Sequence, residues 1–147
     1  MGLGIYTQPL ETTEISTDDS KVLSITIDGI SGGSISKRLF VRNDDLNRFY
    51  DTIVVDVVQA ADTSVIDGTG GKSWKLSEGN EEPPAEQWIR LTPAASISFS
   101  DAIGSSSRGD ISTYLPFWVR IEVPAFQRRQ NITTVKLRLT AQEQLVV

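Results

Sequence analysis

Histidine and cysteine are both absent from the 147 residues. With them go the usual zinc donors, the thiolate nucleophile and the imidazole base of a Ser-His-Asp triad. Carboxylates, amines, hydroxyls and indoles remain. Gly71-Lys72-Ser73 matches the end of a phosphate-binding loop, in which backbone amides and a lysine cradle a polyphosphate. The first glycine of that spacing falls on Ile66, and no buried parallel strand and long helix flank it, so a hairpin turn is the better account. Glu81, Glu82 and Glu86 have the residue type for a glycosidase, which needs one protonated and one ionised carboxyl group. Beside Pro83-Pro84 such a run reads instead as a solvated loop. Asp18-Asp19 and Asp44-Asp45 lack the alternating spacing of a calcium loop. No catalytic, cofactor-binding or metal-binding residue is therefore assigned, and the chain reads as a non-enzyme without a cofactor.

Two tripeptides and the tryptophans complete the chemical inventory. Arg108-Gly109-Asp110 matches a peptide that engages integrins, but a charge pair in a Gly/Ser loop is ordinary loop composition. Asn131-Ile132-Thr133 matches a glycosylation acceptor unaccompanied by a secretory signal. Trp74, Trp88 and Trp118 are candidates for stacking on a sugar ring; burial at sheet edges or at subunit contacts is their commoner fate.

Composition fits one domain without covalent reinforcement, since 39% of residues are apolar and a chain of this length buries roughly 70% of its unfolded surface. The lack of cysteine fits folding in a reducing compartment, including assembly inside a bacterial cytoplasm. No run approaches the ~18 apolar residues of a membrane span, and Met1-Gly2-Leu3-Gly4 does not resemble a signal sequence, so neither membrane nor export is expected. A net charge of −5 argues against nucleic acid as a partner. The charge is uneven: residues 1–110 carry −8 and residues 111–147 carry +3. Such asymmetry favours head-to-tail contact with a copy of the chain or with another acidic partner, through Arg128 and Arg129.

The elements that must position these groups are strands. Over 117–123, Phe117, Val119, Ile121 and Val123 share one face while Trp118, Arg120 and Glu122 share the other. Residues 135–141 repeat the pattern with Val135, Leu137, Leu139 and Ala141, and the two segments read as a final hairpin. Further strands are predicted over 22–28, with Leu23, Ile25 and Ile27 inward, and over 35–42, 50–59, 73–77 and 97–99. The 50–59 segment, apolar on both faces, predicts a central strand covered on both sides. Asn43-Asp44-Asp45 supplies a turn, and 84–90 predicts one or two helical turns opened by Pro84. Residues 1–20 are polar, anchored by Ile5, Tyr6, Leu10 and Ile15, and read as an extended N-terminal arm ahead of one domain over 21–147. The expected fold is an all-β antiparallel β-sandwich of immunoglobulin-like or jelly-roll type.

The blocks Thr7-Gln8-Pro9-Leu10-Glu11, Leu39-Phe40-Val41-Arg42-Asn43-Asp44-Asp45, Trp74-Lys75-Leu76 and Pro116-Phe117-Trp118-Val119-Arg120-Ile121-Glu122-Val123-Pro124 resemble the small β-sandwich structural proteins of tailed-bacteriophage virions. That resemblance implies a capsid cement or decoration protein, or a tail or baseplate accessory, assembled in the host bacterial cytoplasm. Its partners would be major capsid or tail proteins and copies of itself in a homo-oligomer, with Ile5, Tyr6, Leu10, Trp118, Arg128 and Arg129 at the interface. The competing expectation is a glycan-binding module that stacks sugars on Trp74, Trp88 or Trp118.

Overall fold

The computed structural model describes residues 2–6, 14–15, 33–59, 73–123 and 135–147. They form β1 (Leu3–Tyr6), β2 (Glu14–Ile15), β3 (Gly33–Asn43), β4 (Arg48–Gln59), β5 (Ser73–Glu78), α1 (Ala85–Arg90), β6 (Ile97–Ser98), β7 (Tyr114–Val123) and β8 (Val135–Leu145). Two antiparallel sheets result, ordered β2-β1-β3-β7-β5 and β6-β4-β8. The chain is thus an all-β protein whose two sheets enclose a common core, as the alternating strands require.

The burial pattern follows the sequence period. On β7, Leu115, Phe117, Val119 and Ile121 are buried while Pro116, Trp118, Arg120 and Glu122 are half-buried. Across the core, β4 contributes Ile53, Val55 and Val57, and β8 contributes Leu137 with Leu139 and Ala141 packed beside it. Phe99, just past β6, meets Phe117 edge-on at 6.2 Å between ring centroids, which ties the two sheets together. Each such side chain contributes roughly 1.5–3 kcal/mol on burial.

Several expectations require correction. The 117–123 and 135–141 segments are not a hairpin: β7 pairs with β3 and β5, whereas β8 pairs with β4 in the other sheet. The connection over 124–134 exceeds the roughly two to five residues of a hairpin loop, and it lets the two apolar faces oppose each other instead of lying side by side. The 43–48 corner likewise carries the chain from one sheet to the other. Strand β4 is central in its sheet, but its second face is only partly covered: Val54 and Val58 are half-buried, and Asp56 binds Arg138 at 2.6 and 3.1 Å. Within the segment read as an arm, Leu3–Tyr6 is a sheet strand, pairing Ile5 with Val41 and Tyr6 with Phe40. The alternation there is too short to register as a strand in sequence, but β3 on one side and β2 on the other supply backbone partners. The remaining arm positions other than 14–15, and the 22–28 strand with Leu23, Ile25 and Ile27, lie outside the described residues.

Two local features shape the frame. The β4–β8 ladder shifts register between Asp51 and Val54, and Thr52 sits there at φ 50°, a left-handed conformation that a β-branched residue adopts only under strain. At the 43–48 corner, Asn43 is fully buried; its amide donates to Asp45 O at 2.8 Å and Arg48 O at 3.2 Å, and its carbonyl accepts from Asp45 N at 2.9 Å. One side chain therefore satisfies the backbone where the chain changes sheets.

Candidate functional site

The outer face of the five-stranded sheet interleaves aromatic rings with arginines. Phe40 on β3 meets Tyr114 on β7 edge-on at 5.3 Å. Guanidinium groups lie over rings on the same sheet: Arg42 over Tyr6 at 4.9 Å and Arg38 over Phe40 at 5.2 Å. Cation–π contact at these distances holds the long arginine stems flat, so their planar heads are presented in fixed directions.

Within this face, cross-strand pairing places Arg38 opposite Trp118. The loop after β5 folds back over them, held by Gly79 N donating to Pro116 O at 3.1 Å. Asn80 then bridges the pair: its side-chain oxygen accepts from Arg38 Nη1 at 2.9 Å, and its backbone oxygen accepts from Trp118 Nε1 at 3.2 Å. The result is an open groove of about 470 Å³ lined by Lys37, Arg38, Phe40, Asn80, Glu81, Glu82 and Trp118. On this face Arg38, Glu81 and Glu82 surround the Trp118 indole, and Phe40 lies beneath the Arg38 guanidinium. Glu81 and Glu82 are exposed.

A second polar cluster lies beneath α1. Trp88, the buried residue of that helix, packs with its ring centroid 6.0 Å from the Arg120 guanidinium. Lys75 is buried and donates to Trp88 O at 3.1 Å, near the helix C-terminus where a cation is favoured. Arg120 binds Glu122 at 3.0 Å and Ser34 Oγ at 2.8 Å. Each charge here has a partner, and the cluster pins the helix to the sheet.

The structure separates the sequence-predicted residues. Trp88 is 1% exposed and Trp74 is half-buried against the core, whereas Trp118 borders the groove. Ile5 and Tyr6, expected at an interface, are buried within this chain's own sheet because β1 pairs with β3. Leu10, Arg128, Arg129 and Asn131 lie outside the described residues.

In the 104–113 loop, Asp110 is engaged locally. Its carboxylate accepts from Ser112 N and Oγ and from Thr113 N and Oγ1 at 2.6–3.2 Å, and these bonds hold its pKa far below the ordinary aspartate range. Gly109 lies against the Leu46 backbone, where a Cβ would stand 2.1 Å from the carbonyl oxygen. Arg108-Gly109-Asp110 is therefore a folded corner of the loop, with its acid already committed. Among the described residues, no three carboxylates converge as a metal site.

Sequence reasoning missed Arg38, Phe40 and Asn80. No local signal distinguishes them, since their proximity to Trp118 depends on the β3–β7 register and on a loop folding back. Protein-family models, characterised proteins and solved structures yield no match to this chain.

Proposed function

We propose that the chain is a non-enzymatic structural subunit that works through protein–protein contact, as a component of a tailed-bacteriophage virion of the cement, decoration or tail-accessory kind. The observation that carries the contact role is one end of the sandwich. There the 43–48 corner, the 104–113 loop and the end of β8 converge: Val146 N donates to Asn47 O at 2.8 Å, and Gly109 abuts Leu46. Leu46, Ile111, Tyr114 and Leu145 are 58, 42, 41 and 63% exposed at this end. Large apolar side chains gathered on a rigid frame, ringed by Asp44, Asp45 and Arg48, form the kind of surface that a protein partner covers.

Binding there needs little rearrangement, because Asn43 and Asp110 already hold both loops by side-chain hydrogen bonds. The virion assignment supplies the partner class through the resemblance of the strand and turn blocks. Mass spectrometry and electron microscopy of virions from the phage encoding the chain should find it at fixed copy number on the particle. A Leu46→Asp, Leu145→Asp variant that folds normally should be missing from those particles. Wild-type chain absent from the particles, or the variant incorporated normally, refutes the reading.

A further inference from the structure

The groove beside Trp118 lies on the outer face of the five-stranded sheet and adjoins the contact end, because the Phe40 ring of its lining meets Tyr114. Three of its properties define a ligand class. The first is an aromatic surface: the half-buried Trp118 borders the open space with its Nε1 already bound to Asn80 O, which fixes the ring plane, while Phe40 lies buried under the Arg38 guanidinium. The second is a rim of planar or flexible polar groups offering donors on Arg38 and acceptors on Glu81 and Glu82. The third is charge. Arg38, already bonded to Asn80, faces Glu81 and Glu82, so the lining has no cationic excess with which to select an anion.

A pyranose fits these demands together. Its C–H face is apolar enough to stack on indole, and its equatorial hydroxyls donate and accept at the edge, where side chains with both capacities are needed. The groove is open along the surface, as a chain of sugars requires. We propose that this groove binds neutral saccharides, with Trp118 as the stacking residue and Arg38, Glu81 and Glu82 as hydroxyl partners. None of Leu46, Ile111 and Leu145 of the contact end lines this groove, and its occupation needs no partner protein.

Affinity electrophoresis of the full chain in gels containing dextran, galactomannan or hydroxyethyl cellulose tests this, with alginate as an anionic control. At least one neutral polymer should retard the protein. Trp118→Ala should weaken that retardation by about tenfold or more, the equivalent of one lost stacking contact. Glu81→Ala with Glu82→Ala, both on the exposed rim, should weaken it severalfold while leaving the melting curve unchanged. This pair decides the matter if Trp118→Ala does not fold. No retardation in any neutral gel, retardation in alginate alone, or retardation indifferent to the rim variants overturns the proposal.

Discussion

Asp110 and Tyr50 show how single side chains couple the loops to proton activity. Asp110 accepts four hydrogen bonds from Ser112 and Thr113, which favour its charged form and lower its pKa. A carboxyl whose pKa falls on folding stabilises the protein above the unfolded value of ~3.9 and loses that contribution as pH falls through the folded value. Asp110→Asn should therefore lower the wild-type melting temperature at neutral pH, and the difference should shrink progressively below about pH 4. A constant difference across that range would separate the loop's stability from this carboxylate. Tyr50 has the opposite sign. Burial first, and then the 2.7 Å hydrogen bond to Glu143, push its hydroxyl above the ordinary tyrosine range, so its contribution is present below pH ~10 and is lost only at higher pH. Tyr50→Phe should destabilise the fold by about 1 kcal/mol at neutral pH, read by urea denaturation.

At the scale of elements, β1 and the bulge in β4 carry the sharpest expectations. Because Ile5 and Tyr6 are buried against β3, removing residues 1–6 should uncover Leu39, Val41 and Phe40 and lower the melting temperature markedly. An unchanged transition would show that β1 adds nothing to the sheet. Thr52 in its left-handed conformation is exposed, so Thr52→Gly should stabilise the protein by about 1 kcal/mol by relieving strain at the bulge. A fall in stability would mean that the gain in unfolded-chain entropy outweighs the strain. On β7, Ile121→Asp places an unpaired carboxylate in the core and should abolish cooperative melting.

For the whole molecule, the two ends of the sandwich differ in character. The 43–48 corner presents Asp44 and Asp45 beside exposed apolar groups, whereas β7 ends at Val123 and β8 begins at Val135 at the opposite end of the strands, and the sequence between them carries Arg128 and Arg129. A head-to-tail contact between copies would bring unlike charge together, and such rim charges act chiefly on association rate. Arg128→Glu with Arg129→Glu should slow self-association measured by light scattering at low salt. The deficit should narrow at high salt, where the Debye length is only ~3 Å at 1 M. Equal rates at low salt would remove the arginine pair from the contact.

The alternation over 117–123 and 135–141 was sufficient by itself to determine which face of each segment is buried, because a strand's side chains alternate whatever it pairs with. The same holds for Leu39, Val41, Ile53 and Val55, for the turn at Asn43, and for the helical turns after Pro84. Pairing is not local. That β7 joins β3 and β5 while β8 joins β4 depended on which backbone edges were free and on which arrangement let the apolar faces oppose each other. The site followed from that choice. Trp118 borders a groove because the register sets it across from Arg38 and because Asn80, 38 positions earlier, folds onto both. Trp74 and Trp88, indistinguishable from it in sequence, became core and anchor. An indole's exposure is decided by what the rest of the chain places over it, which residue type and local spacing do not encode.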